Sequence, residues 1–414
     1  MGADVSGLQG NAQFYVVGGP VQPDRDCYVV RDADAALYTR LSAGEYCDVL
    51  APPDSGSTSL IAHTAARLRA DGVAVAYVDL AQISNRDITD DVGRWYYSVA
   101  YRILRELRVR FELQDWWQER AGLTNLQRLR EFFREVLLTA TDARVVVFVD
   151  RIETGLGHAE ALDLFGAIRA CYDARATEPE FRRLSFALLG SAPPGKLIPS
   201  GQASPFDVSV SIQLADFDLE EVGRLTSGLP CDAGTAKLIA ERTWYWTAGH
   251  PYLTQKLLRA IGRRPGAELA AETVDQWVIN LFLTRNATRE EPHLSGLRSL
   301  LLQDSRDKVA RLSLYGKVRK GATVASEHAL PTHRDLLRAG LLVEDSDGNF
   351  ALRNRVYAEV FTAHWVNRNL PFSWRGLAAV AAVAVVALAI PVWYSEYLPE
   401  PYIRVLNKPD ADFI

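Results

Sequence analysis

Short apolar runs alternate with helical stretches between residues 45 and 215, and this alternation restricts the chain more than any other feature. Tyr46–Ala51 reads as a first strand and Val73–Leu80 as a second. Val145–Asp150 (VVVFVD), Leu184–Gly190 and Val208–Leu214 read as three more. Leu60, Ile61, Ala65 and Leu68 mark a helix after the first strand. Val92, Tyr96, Val99, Ile103 and Leu107, at spacings of 4, 3, 4 and 4, mark a long amphipathic one after the second. Five strands with crossover helices make a parallel α/β sheet of nucleotide-fold size. From Asp216 the pattern turns helical, with short helices expected at Glu220–Thr226, Ala236–Trp246, Tyr252–Ile261 and Val274–Leu281. Residues 295–365 then combine helices with a terminal hairpin, Leu341–Glu344 and Phe350–Arg353 around the turn Asp345–Gly348, which suggests a winged-helix module.

Composition narrows the function. Hydrophobic residues make up 48% and charged residues 23%, ordinary globular values, and the net charge of −5 argues against a chain devoted to coating nucleic acid. The four cysteines, Cys27, Cys47, Cys171 and Cys231, show no C-x-x-C spacing, and the seven histidines form no H-x-x-x-H pair, so no metal site is expected. Only seven of the 46 basic residues are lysines, and the first is Lys196.

Near the C-terminus, Gly376–Tyr394 runs 19 residues without a charge, flanked by Trp374 and Arg375 on one side and Trp393 and Tyr394 at the other end. At 1.5 Å per residue this approaches the roughly 30 Å of a bilayer core, so a transmembrane anchor over 374–395 is expected. Arg353, Arg355, Arg368 and Arg375 precede the run. The positive-inside rule then gives a single-pass membrane protein whose N-terminal region is cytoplasmic and whose tail, 396–414, lies across the bilayer.

Several segments together resemble the AAA-like ATPase domain family of bacterial STAND-type signalling proteins. They are FYVVGGPVQPD (Phe14–Asp24), YVVRDAD (Tyr28–Asp34), VVVFVDRIET (Val145–Thr154), AIRACYDARATEPEFRRLSFALLGSA (Ala167–Ala192), YWTAGHPYLTQKL (Tyr245–Leu257) and LRNRVY (Leu352–Tyr357). The resemblance covers most of residues 14–365. It implies an α/β fold: a P-loop NTPase-like parallel sheet over 14–215 behind a flexible N-terminus (1–13), a helical lid (216–294), a winged-helix domain (295–368) and the C-terminal transmembrane helix.

A P-loop site needs backbone N–H groups and a lysine for the phosphates, a Ser or Thr hydroxyl on Mg²⁺, an Asp at the end of the third strand and an adjacent Glu to activate water. Where family relatives resemble L-T-S-R-Q-M-G-K-S-S-L, this chain reads L-A-P-P-D-S-G-S-T-S-L from Leu50 to Leu60. Gly56, Thr58 and Ser59 are kept, and the lysine is replaced by Ser57. Losing a lysine forfeits a charge-assisted bond of about 1.5–3 kcal/mol. Pro52 and Pro53 lack N–H donors, and Asp54 puts a negative charge where phosphates dock. Asp150 survives, while the Glu position is Arg151, which cannot act as a base near neutral pH; Glu153 lies two residues further on.

The resemblance also makes Ser191, His250 and Pro251 sensor candidates. Arg31 would approach an adenine or phosphate, unless it merely pairs with Asp32 or Asp34 at the surface. Trp116–Trp117 and Trp244–Tyr245–Trp246 are expected to pack within the protein. The resulting expectation is a membrane-anchored, catalytically degenerate AAA-like protein that signals or scaffolds through protein contacts. Its partners would be the lipid bilayer and an ATP-competent homologue or further copies of itself, with no resident cofactor. Two alternatives stand beside it. One is a nucleotide-gated switch that binds ATP with Mg²⁺ through Thr58 and Asp150. The other is a tethered DNA-binding regulator using Thr332–Ala339, with nucleic acid the less favoured partner because Asp335 interrupts Arg334 and Arg338.

Overall fold

The computed structural model describes residues 14–83, 92–155, 159–191, 197–198, 203–263, 270–303, 305–326, 330–370, 374–396 and 403–404. The N-terminus 1–13 and most of the tail 396–414 lie outside them. The chain divides into two units, up to Ala363 and from His364.

The first unit opens with α1 (Asp32–Ser42), β1 (Tyr46–Leu50), α2 (Ser57–Ala70) and β2 (Ala74–Asp79). The short α3 (Leu80–Ile83) precedes α4 (Val92–Glu106), α5 (Leu113–Glu119) and α6 (Asn125–Glu131), which continues into a π-helical turn, Phe132–Leu137. β3 (Val145–Asp150), α7 (Ala159–Ala174), β4 (Leu184–Gly190) and β5 (Ser209–Ser211) complete a five-stranded sheet of order β2-β3-β4-β1-β5, parallel throughout.

Alternation along the strands explains why the sheet is covered on both faces. In β3, Val145, Val147 and Val149 enter a core with Phe133, Phe165 and Phe186. Val146 and Phe148 enter the opposite core with Leu37, Leu60, Leu68 and Leu189. Each such buried side chain contributes about 1.5–3 kcal/mol. The amphipathic reading of α4 holds, with Tyr96, Val99 and Ile103 buried. Register aligns Leu50 with Gly190 and Asp79 with Asp150, so the strands end together along one edge.

Beyond the sheet come α8 (Leu219–Leu225), α9 (Ala233–Thr247), α10 (Pro251–Gly262) and α11 (Ala271–Phe282). Asp218 and Glu221 form a reciprocal capping box on α8, and Asp232 caps α9. Between α9 and α10, Gly249 has φ +74°, and a Cβ there would sit 1.7 Å from the Phe217 carbonyl oxygen, so only glycine fits. Then follow α12 (Ala287–Glu290), α13 (Pro292–Leu302), α14 (Ser305–Arg319), α15 (Pro331–Arg338), the antiparallel hairpin β6 (Leu342–Glu344)–β7 (Phe350–Leu352), and α16 (Arg355–Val360).

The C-terminal region requires a correction. Two further helices, α17 (Ala363–Asn369) and α18 (Trp374–Glu396), are present, and Pro391 lies inside α18. Among the described residues, however, no helix is long and apolar enough to cross a membrane. The transmembrane helix, the membrane localisation and the anchoring role of Trp374, Arg375, Trp393 and Tyr394 are withdrawn. The absence of charge over Gly376–Tyr394 is not by itself a membrane span.

Candidate functional site

The loop between β1 and α2 is where phosphates would dock. Ala51 N donates to Gly190 O (2.9 Å), extending the sheet by one residue, and Ser55 N donates to Pro52 O (3.3 Å), closing a turn over the two prolines. Asp54 has φ +63° and Gly56 φ +90°. A Cβ on Gly56 would meet the Arg31 guanidinium at 3.0 Å, so glycine serves both the left-handed backbone and the close approach. Ser57 and Thr58 begin α2 half-buried. Ser59 is buried, and its hydroxyl accepts from Val21 N (3.0 Å).

Side chains from distant parts of the chain grip this loop. Arg353, just past β7, donates through Nη2 to Ser55 Oγ (2.9 Å) and holds Asp216 in a bidentate pair (2.6 and 2.7 Å). Burial lowers the Arg353 pKa, but the hydrogen bonds and charge of Asp216 outweigh it and the net shift is upward. His293, at the start of α13, bridges Asp54 and Tyr357: Nδ1 lies 2.7 Å from Asp54 Oδ2 and Nε2 lies 2.5 Å from the Tyr357 hydroxyl. A carboxylate only accepts, so Nδ1 carries the proton. Arg31 is buried rather than paired at the surface. Its Nη1 donates to Ser55 O (2.9 Å) and Ala215 O (3.1 Å), and burial lowers its pKa.

The end of β3 is tied down as well. Asp150 accepts from the Tyr77 hydroxyl (2.8 Å) and from Arg151 N (2.8 Å), and burial raises its pKa despite those bonds. Arg151, at φ +55°, pairs with buried Asp79, the register partner of Asp150 on β2. Glu153, in the short turn Ile152–Gly155, accepts from Ser191 N (3.1 Å) at the end of β4.

Gly56, Ser57, Thr58, Ser59, Asp150, Arg151, Ser191 and Pro251 all line one cleft of about 440 Å³ at the strand ends. His250 stays out of it. It is fully buried beside His293 (ring centroids 4.9 Å), with neither ring nitrogen bonded, and burial followed by the charges of Arg353 and His293 pulls its pKa well below the usual value. Of the aromatic clusters, Trp116 and Trp117 are buried as expected. Trp244 and Tyr245 are about 40% exposed, with Arg242 and Arg355 stacked on Tyr245. Arg353, His293, Tyr357 and Asp216 were not singled out as site residues from the sequence. The signal was there in part, since LRNRVY carries both Arg353 and Tyr357.

Magnesium triphosphate does not fit these residues. Both Asp150 oxygens already accept hydrogen bonds, Arg151 would repel a cation, and two loop positions have no N–H. The acidic and basic residues lining the cleft are Asp54, Asp150 and Glu153 against Arg31 and Arg151, an acidic balance. Among the described residues, no group of three or more His, Cys, Asp or Glu is placed to hold a metal ion.

A parallel sheet with its cleft at the strand ends, a helix starting directly after the first loop, and an Asp closing the third strand define a P-loop ATPase-type domain. Residues 16–361 match the AAA-like domain family, and the chain belongs to that family. It is 32% identical over 369 residues to an uncharacterized WD repeat-containing protein of Synechocystis sp. (strain ATCC 27184 / PCC 6803 / Kazusa); the match covers 86% of this chain and only 30% of that protein. Among solved structures it is similar in fold to the Aeropyrum pernix ORC2 protein, determined as ADPNP–ADP complexes (14% identity, TM-score 0.50, covering 86% of this chain and 95% of that one). A Walker-type ATPase of Pyrococcus abyssi is similar at 15% identity and a TM-score of 0.49, covering 83% and 98%.

Proposed function

We propose that this protein is a STAND-type AAA-like module that no longer hydrolyses nucleotide and that signals or scaffolds through protein contacts. One observation supports the reading: the loop after β1 is held by side chains from distant parts of the chain. Ser55 is held by Arg353 and Arg31, and Asp54 by His293. With the loop so held, and with Pro52, Pro53 and Ser57 in place of donors and a lysine, it offers phosphates few N–H groups and no lysine charge, and the module keeps one shape for its partners. An ATP-competent homologue or a second copy of this chain is the partner class expected. The Synechocystis relative carries a WD-repeat name and extends well beyond the matched region, which fits a module that works joined to other interaction domains.

Purified protein incubated with Mg²⁺ and ATP or GTP is expected to release no phosphate above a blank. A second reading, a nucleotide-gated switch with slow turnover, draws on Glu153, whose carboxylate lines the cleft beside Ser191. Phosphate release abolished by Asp150→Asn or Glu153→Gln would replace the first reading with the second. The DNA-binding reading gains nothing from α15, where Arg338 is paired with Asp335.

A further inference from the structure

A basic and aromatic strip runs along α4 and the turn that ends it, outside the lining of the strand-end cleft. Tyr97, Tyr101 and Arg105 follow at spacings of four, so they share one side of the helix, while Tyr96, Val99 and Ile103 face the core. The two tyrosine rings stack nearly parallel, with centroids 6.2 Å apart and planes at 15°, and Tyr101 is 49% exposed. Phe111, just past the turn, is 42% exposed. Between these rings in sequence, Arg105, Arg108 and Arg110 are all exposed, and none pairs with a carboxylate among the described residues. Glu106, which lies among them, is paired instead with Arg102 (3.3 Å). The turn adds an independent sign. Val109 N donates to Leu104 O (2.9 Å) and Arg108 N to Arg105 O (3.1 Å), the pattern that closes a helix through one left-handed residue. That residue is Arg108, at φ +56°, where glycine is the usual occupant. An arginine kept at a strained, exposed position beside two unpaired ones calls for an anionic ligand.

From these observations we infer that the strip binds single-stranded nucleic acid without sequence preference. Unpaired guanidinium groups suit phosphates, and exposed flat rings suit unstacked bases; single strands present both. A duplex hides its base faces, and an acidic peptide would engage the arginines while leaving the rings idle. The net charge of −5 argues against a coat over long nucleic acid, but residues 102–111 carry four arginines against one glutamate, a local contact of the opposite sign. Contacts through phosphates and ring faces read neither base sequence nor sugar. The inference is independent of whether the loop after β1 takes nucleotide.

Fluorescence anisotropy on the full chain tests it, with labelled oligo(dT), oligo(rU), a DNA duplex, a poly-glutamate peptide and phosphatidylserine vesicles as probes. The two single strands are expected to bind saturably and with similar affinity, and the duplex more weakly. Three phosphate contacts at about 0.7 each predict a slope of about −2 for log affinity against log salt, and Arg105→Gln should reduce its size by about 0.7. Tyr101→Leu should weaken binding about fivefold or more and leave the slope unchanged. Arg108→Gly should weaken binding while the melting temperature stays level or rises, because glycine relieves the left-handed backbone. A purely structural arginine there would instead lower the melting temperature when replaced. No binding to either single strand, binding confined to the peptide or the vesicles, a duplex bound as tightly, or affinity indifferent to all three substitutions would each overturn the inference.

Discussion

Two loops at the same sheet edge are held in different ways. The loop after β1 is held from far away: Arg31, His293 and Arg353 reach it across 24, 239 and 298 residues of sequence. The loop after β3 is held by its own sheet, through Tyr77 on Asp150, Asp79 on Arg151 and the Ser191 amide on Glu153. The loop after β1 is a junction for segments far apart in sequence. The loop after β3 is braced locally. Damage to the first should therefore spread through the unit, while damage to the second should stay small.

The largest effect is expected at Arg353. Its guanidinium is 4% exposed, and Arg353→Met would strand Asp216, 21% exposed, along with Ser55 Oγ. Removing one partner of such a pair costs about 3–5 kcal/mol, read as a lowered urea midpoint. A loss near zero would erase the contrast between the loops.

Next comes acid sensitivity beneath the junction. His250 keeps a depressed pKa in the folded state, against about 6.5 when unfolded. Above that value both states are neutral and nothing is lost. Below it the unfolded chain takes up a proton that the folded chain refuses, so stability falls by up to about 1.4 kcal/mol per pH unit. Unfolding curves from pH 7.5 to 5 should show this slope, and His250→Leu should reduce it by one proton's worth. An unchanged slope in that variant would place the acid sensitivity elsewhere.

The smallest effect is expected at Arg151. It is half exposed, and Asp79 keeps bonds from Ala81 N (3.0 Å) and Gln82 Nε2 (2.9 Å) when the arginine is gone. Arg151→Ala should cost less than about 1 kcal/mol. A cost rivalling that of Arg353→Met would mean that the β3 loop is also a junction.

Local signals explain what could be read in advance. VVVFVD and LSFALLG announce buried strands because, Ser185 aside, they are apolar until the end, and the structure places them at Val145–Asp150 and Leu184–Gly190. The missing lysine was legible because no lysine precedes Lys196. The grip on the loop was not, since Arg31, His293 and Arg353 have no shared spacing and meet only through the fold. Glu153 lies two residues past the Glu position in sequence, and a tight turn returns it to the strand ends beside Ser191. The uncharged run from Gly376 misled in the other direction, because charge pattern was read as a membrane span.

The central claim is that side chains from distant parts of the chain hold the phosphate loop. Amide hydrogen exchange over Ala51–Leu60, with and without millimolar Mg-ATP, tests it most directly. The expected result is slow exchange in this segment that nucleotide leaves unchanged and that Arg353→Met accelerates. Added protection of these amides by Mg-ATP in the unmodified protein would contradict it.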